Sequence, residues 1–389
     1  MSIVSFEFEN REIGWRLQKT HFSPFNLLVG TSGVGKSRVL RALRTVRNVV
    51  IKGARANGCS WSLELDIEKH IYQWKASVSL IPGMVSDDTL FGEEDDDAGR
   101  NGVGPPIFET ETIVLDGKEL VFRKQDEGIF RFNNSSLPKL KDSESVISLL
   151  EKEDVISPLY LNIKRFIFSN KGDDDFIFPL PAHNTKKYSS FLELQASVDR
   201  YFLYRAWIMQ EQFLENFKEI SNRFVDIFST IEDLKLISLN EIEGVLVPPW
   251  FSRDSVTLAI KEKGVKGWIP AKRLSSGMIQ TLTHLLELAL APKDSVFFFD
   301  ELENSLGVNC LPQVVDAMRE RMGEVQFILT SHHPYVINNI PYESWKIVTR
   351  KGSEVTVRDA SEINALQTKS AQDRFFLLLN SPEYEEGIQ

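Results

Sequence analysis

Cysteine is scarce in this chain: Cys59 and Cys310 are the two among 389 residues, far apart and with no second cluster of metal-ligating side chains beside either. That excludes a disulfide framework and a zinc ribbon, and it fits a reducing cytoplasm. No apolar run approaches the roughly 20 residues that span a bilayer. The opening Met1-Ser2-Ile3-Val4-Ser5-Phe6-Glu7 lacks the basic and apolar regions of a secretory leader. A cytoplasmic protein without a membrane partner is expected. Positive charge is also short, with 45 Lys and Arg against 55 Asp and Glu for a net charge of -10. This is not the footprint of a general nucleic-acid binder, although it leaves room for a local basic stripe. Much of the excess sits between residues 86 and 100, where Asp87, Asp88, Glu93, Glu94, Asp95, Asp96 and Asp97 face Arg100 alone. Such a run reads as a solvated loop, near 86–104. Glycine and proline are both missing from Ser190 to Leu239, so one helix of about 50 residues, roughly 75 Å long, or two shorter ones is expected there. Ser190-Phe191-Leu192-Glu193 reads as its capping box.

What is present describes a folded protein, with 42% hydrophobic and 26% charged residues. Ile3 to Phe8 alternates, and Asn26-Leu27-Leu28-Val29 is a short apolar run ending at Gly30, so both read as strands. Val39, Leu40, Leu43 and Val46 then recur at helical spacing. Residues 61–80 read as a two-strand meander, and alternation resumes over 110–133 with a turn at Asp116-Gly117. Pro248-Pro249 closes the helical stretch, and Ser255 to Ile260 reads as a further strand. The expected organisation is the N-terminal part of a lobe over 1–184, a helical subdomain over 185–254 and a C-terminal part over 255–389.

Gly30, Thr31, Ser32, Gly33, Val34, Gly35, Lys36 and Ser37 fit G-x-x-x-x-G-K-[ST] between an apolar strand and a helix. Chance supplies this pattern in roughly one chain in a hundred of this length, and the strand–loop–helix context makes a mere Gly-rich turn the weaker explanation. The glycines let backbone N–H groups face phosphates at a helix N-terminus. Lys36 would reach the β- and γ-phosphates of ATP, and Ser37 would ligate Mg²⁺. Val296-Phe297-Phe298-Phe299-Asp300-Glu301 is an apolar run ending in acid, as in a buried parallel strand with carboxylates at its C-terminal edge. Asp300 would hold Mg²⁺, and Glu301 would polarise the attacking water. Leu274-Ser275-Ser276-Gly277-Met278 precedes a helical pattern and is at least an N-cap. Phe327-Ile328-Leu329-Thr330-Ser331-His332-His333-Pro334 is another buried strand with a histidine beyond its end.

The order of these four segments resembles the ABC ATPases of the SMC, RecF and OLD group. Phe25 to Gly30 is similar to the lead-in to the P-loop in RecF-like and OLD-like proteins, and Asp300-Glu301-Leu302-Glu303-Asn304 to their D-E-x-E-N. The resemblance implies an α/β P-loop NTPase fold, ABC-ATPase-like, with an antiparallel sheet added to the N-terminal lobe and a helical subdomain. It implies that two copies pair head to tail on ATP. Ser275 and the Gly277 N–H of one copy then meet the γ-phosphate held by the other, and Ser305-Leu306-Gly307 faces the partner. His332 matches the switch histidine, a second catalytic residue beside Glu301, while His333 stands where the family has Ser or Asn. No Q-loop glutamine can be assigned, no long coiled coil is present as in SMC and RecN proteins, and the 57 residues after His332 are too few for the Toprim nuclease of OLD proteins.

Coiled-coil-poor ATPases of this kind resemble the ATPase halves of bacterial anti-phage systems such as PARIS and Septu. That resemblance implies an ATPase controlling a separately encoded effector such as a nuclease. The alternatives are a RecF-like DNA-repair clamp, with Lys261, Lys263, Lys266, Lys272 and Arg273 as its basic stripe, and a nucleotide-gated scaffold with negligible turnover.

Overall fold

A computed structural model describes residues 1–53, 55–82, 105–138, 140–169, 177–179, 186–197, 202–242, 255–307, 309–363 and 377. The acidic run 86–100 and Pro248-Pro249 lie outside them. The chain forms two units. The first takes Met1–Phe168, Asp294–Glu301 and Gln326–Gln389, and the second Ser169–Lys293 and Leu302–Val325.

The first unit is built on one sheet of 14 strands. From one edge the sheet runs Phe166–Ser169, Val296–Phe299, Gln326–Thr330, Phe25–Val29 and Trp345–Lys351, the last four of them mutually parallel. The sequence of these strands explains their place. Val296–Phe299, Gln326–Thr330 and Phe25–Val29 are buried at every position, as strands covered on both faces must be. Asn26, the polar residue in the P-loop strand, is fully buried and satisfied. Its amide donates to Phe327 O at 3.0 Å and accepts from Ser23 N at 2.8 Å, fastening the strand to its neighbour.

Register brings the strand ends together. Phe299 pairs with Leu329, and Thr330 with Leu28. Gly30, Asp300 and Ser331 therefore leave the sheet at the same edge, the carboxyl ends where ligands bind in parallel sheets.

Glu354–Asp359 pairs antiparallel with Trp345–Lys351 and parallel with Trp15–His21, and from there an antiparallel part continues through Ser2–Asn10, Cys59–Ile67, His70–Val78, Phe108–Leu115, Lys118–Lys124, Ile129–Phe132 and Ser135–Ser136. This is the added antiparallel sheet expected in the N-terminal lobe. Cys59–Ile67 alternates strictly between buried and half-buried positions, and Trp61 meets Trp74 edge-on at 5.0 Å. The Asp116-Gly117 turn has φ of 48° and 80°, the left-handed pair that a two-residue hairpin requires. Glu111 is buried in this meander and receives four donors: Arg123 at 3.2 Å, Trp74 Nε1 at 3.0 Å, Ser145 Oγ at 2.7 Å and Val146 N at 3.0 Å.

The second unit corrects the expected long helix. Ser190 to Leu239 forms three helices, Phe191–Ala196, Phe202–Gln212 and Leu214–Ile227, and then a strand, Ile231–Ser238. The lack of Gly and Pro permits a helix without requiring one. Here Ile231–Ser238 pairs with the buried strand Ser255–Glu262, and sheet pairing outweighs local propensity. Ile177–Pro179 and Ile269–Pro270 complete a sheet of four. The pairing also shows why the boundaries depart from the expected 185–254 and 255–389. Ser255–Glu262 belongs to the same small sheet, so 255–293 lies in the second unit and the chain returns to the first only at Asp294. At Ser190 the cap is half a capping box: Ser190 Oγ accepts from Glu193 N at 3.2 Å, but Glu193 turns to Ser189.

Candidate functional site

The P-loop is shaped by its glycines. A Cβ on Gly30 would lie 2.5 Å from Val348 O, so no side chain fits there. Gly33 and Gly35 have φ of 86° and 109°, and Gly35 is the N-cap of the helix Lys36–Lys52, so a left-handed residue directs the first helical N–H groups into the loop. Beneath Gly35 lie Val355 and the buried indole of Trp15, whose Nε1 has no hydrogen-bond partner. Lys36 is buried, and its ammonium donates to Gly30 O at 2.7 Å and Thr31 O at 3.0 Å. Arg350 Nη1 reaches Gly33 O at 3.5 Å from the outer side.

The acidic strand end meets this loop directly. Ser37 Oγ donates to Asp300 Oδ1 at 2.7 Å, across 263 residues of sequence. Thr330 Oγ1 donates to the same oxygen at 2.9 Å and accepts from Glu301 N at 2.6 Å. Glu301 is exposed and has φ of 51°, a left-handed conformation that costs an ordinary residue about 1–2 kcal/mol. The Ser37 hydroxyl and the Asp300 carboxylate in direct contact make an oxygen donor set suited to Mg²⁺, which takes one or two protein oxygens and otherwise water and phosphate.

His332 is exposed just beyond the neighbouring strand. The departure at His333 has a physical account. His333 is the N-cap of the helix Pro334–Asn339, its Nδ1 accepting from Tyr335 N at 3.1 Å. An imidazole nitrogen thus does what a Ser or Asn oxygen does at that position.

Ser275 and Gly277 belong to the second unit. Ser275 is the N-cap of the helix Ser276–Leu290, accepting from Met278 N at 3.3 Å, and it stays exposed. A Cβ on Gly277 would lie 3.0 Å from Ser305 O, so glycine lets the helix start lie against the Ser305–Gly307 segment. The other end of this helix is held by buried side chains. Arg205 donates to Leu290 O, and to Gln195 O at 2.9 Å, while Gln195 Nε2 donates to Ala289 O at 2.6 Å. Burial lowers Arg205 to about 10, so it remains a cation at neutral pH, matched by helix C-terminal carbonyls.

Residues 105–338 match the family model described as "AAA domain, putative AbiEii toxin, Type IV TA system". The chain belongs to this AAA-domain family. The matched span takes in Ser275, Gly277, Asp300, Glu301 and His332 but starts after the P-loop, so Gly30 to Ser37 join the domain on the sheet order and the Ser37–Asp300 contact. Motif order, sheet and family describe a P-loop ATPase domain.

None of the curated proteins matches the sequence. Among solved structures, the chain is similar to an Smc head bound to the C-winged helix domain of ScpA, at 14% identity and a TM-score of 0.49, over 92% of this chain and 98% of that one. An Smc head with an extended coiled coil bound to the C-terminal domain of ScpA, from Pyrococcus furiosus, gives 12% and 0.43, over 92% and 95%. The SMC head domain from Thermotoga maritima gives 13% and 0.37, over 92% and 99%. These likenesses are distant in sequence and shape.

Thr330, Arg350 and Trp15 are the additions of the AAA-domain structure to the expected site. Thr330 carried a signal, since it opens the Thr-Ser-His segment. Nothing in the sequence marks Arg350 or Trp15 as neighbours of the P-loop. Among the described residues no helix is long and apolar enough to cross a membrane.

Proposed function

We propose that this AAA-domain protein binds ATP with Mg²⁺ at Gly30–Ser37, hydrolyses it, and pairs head to tail with a second copy while ATP is bound. The observation that carries this reading is the hydrogen-bonded series Ser37–Asp300–Thr330–Glu301, which joins the P-loop to the acidic strand end. Ser37 and Asp300 would hold Mg²⁺, whose positive charge neutralises the phosphate oxygens. Lys36 exchanges its carbonyl partners for phosphate, a stronger charge-assisted bond. Glu301 orients and deprotonates the attacking water, and His332 contacts the γ-phosphate. Ser275 and the Gly277 N–H serve the site of the second copy.

Two substitutions test this. Lys36→Ala should weaken ATP binding by about 10–100-fold, the loss of a hydrogen bond to a charged group; unchanged affinity in calorimetry would refute the P-loop assignment. Ser275→Asp keeps an N-cap oxygen but adds a negative charge where a phosphate is expected. ATP-dependent pairing should vanish while each monomer still binds ATP; normal pairing and turnover would exclude the head-to-tail site.

The resemblance to defence ATPases, together with a family description that names a toxin system, supports a reading of the downstream role. We infer that the ATP-bound pair controls a separately encoded effector, such as a nuclease, in bacterial anti-phage defence, in the cytoplasm. Co-purification of the neighbouring gene product, dependent on ATP and lost in Lys36→Ala, tests it.

A nucleic-acid clamp is the second reading, and one observation favours it. The helix Lys36–Lys52 contains Arg38, Arg41, Arg44 and Arg47 and no acid, with Arg38 and Arg41 exposed. The lysines first named for such a clamp are partly engaged, Lys261 with Glu232 and Lys263 with Ser229 O. Charge reversal at Arg38 and Arg41 should then weaken DNA binding and flatten its salt dependence. A pure scaffold would leave Glu301→Gln indistinguishable from wild type.

A further inference from the structure

We infer that Thr330 is a positioning residue for ATP hydrolysis, holding Asp300 and Glu301 in their working arrangement through one hydroxyl; this rests on the ATPase reading above. Thr330 is the last residue of Gln326–Thr330, fully buried, on the strand between the acidic strand and the P-loop strand. A threonine hydroxyl has one proton to give and lone pairs to receive. Here the proton goes to Asp300 Oδ1 and a lone pair takes the Glu301 N–H. Both acidic residues are therefore tied to one oxygen, one through its side chain and the other through its backbone.

The tie has a specific consequence for Glu301. Its φ of 51° directs the chain out of the strand in the left-handed region, and its N–H in that conformation points at Thr330. The exposed carboxylate is otherwise carried on a turn, so the hydroxyl fixes the base of the lever that places it. Asp300 keeps a second partner in Ser37. Loss of the Thr330 hydroxyl should therefore disturb Glu301 more than Asp300, and catalysis more than nucleotide affinity. Val has nearly the shape of Thr without the hydroxyl, so Thr330→Val removes the tie and leaves the packing.

The experiment measures ATP turnover, ATP affinity and melting temperature for wild type, Thr330→Val and Thr330→Ser, and repeats turnover in a Glu301→Gln background. Thr330→Val should lower kcat by about 10–100-fold, as loss of an outer-shell partner does, with ATP affinity within about threefold. More Mg²⁺ should be needed for half-maximal turnover. Thr330→Ser should restore kcat to within about threefold. In Glu301→Gln the Thr330→Val change should cost much less than in wild type, because residues that act through one another are not additive. If Thr330→Val does not fold, Thr330→Ala carries the same expectations. Full turnover in Thr330→Val, no rescue by Ser, or an equal loss in both backgrounds would overturn the assignment while leaving a working wild-type ATPase. Absence of turnover in wild type would overturn both this inference and the hydrolytic reading.

Discussion

Two carboxylate sites in the first unit are built on opposite terms. Glu111, in the antiparallel meander, is fully buried, faces the Arg123 guanidinium and takes three further hydrogen bonds. Arg123 in turn donates to Lys141 O and Glu144 O. The Asp300 carboxylate, at the end of a parallel strand, has hydroxyls for partners, while Glu301 is tied to one only through its backbone N–H and is exposed in a left-handed conformation. A buried charge left without its partner is costly, so the meander surrounds its carboxylate with donors. The strand end leaves Glu301 exposed at a left-handed φ, local strain that suits the proposed place for a metal ion and a water.

The comparison is sharpest at its extremes. Glu301→Gln should lower turnover on the order of 10²–10⁴-fold, the usual contribution of a general base, with stability shifted by no more than about 0.5 kcal/mol. Phosphate release and thermal melting measure the two sides, and a large loss of stability with modest loss of turnover would erase the distinction. Glu111→Leu should do the reverse. It strands Arg123 in the interior and should destabilise the fold by about 3–5 kcal/mol, read from urea unfolding, while the folded fraction keeps its ATP affinity. The smallest effect is expected at His333, where the polar group only caps a helix. His333→Asn should leave stability within a few tenths of a kcal/mol, whereas His333→Ala should cost about 1 kcal/mol. Loss of turnover in His333→Asn would instead make His333 part of the site.

The P-loop and its flanking strand and helix could be read directly, because glycine spacing, apolar runs and helical periodicity are local and physically demanding. Asp300-Glu301 was legible only through its order and distance from the P-loop, since an apolar run ending in acid is by itself common. The meander around Asp116-Gly117 was legible through its turn. Ile231–Ser238 was not. Its buried residues Ile231, Leu234 and Leu236 are compatible with either period, and a register shift beside Asp233 obscures the alternation. The capping role of His333 was hidden too, since only the geometry shows its Nδ1 facing Tyr335 N.

By itself, then, the sequence determined that a nucleotide loop, a capped helix, an acidic strand end and a strand followed by a histidine occur in that order. Each is specified within about ten neighbouring residues by steric and hydrophobic patterning. Tertiary structure decided which of them meet. Ser37 reaches Asp300 across 263 residues, and Thr330 reaches it across 30. Those contacts depend on the order Val296–Phe299, Gln326–Thr330, Phe25–Val29 in the sheet and on a register that ends the three strands together. Strand order and register come from burial summed over the whole sheet, a quantity that no local segment carries.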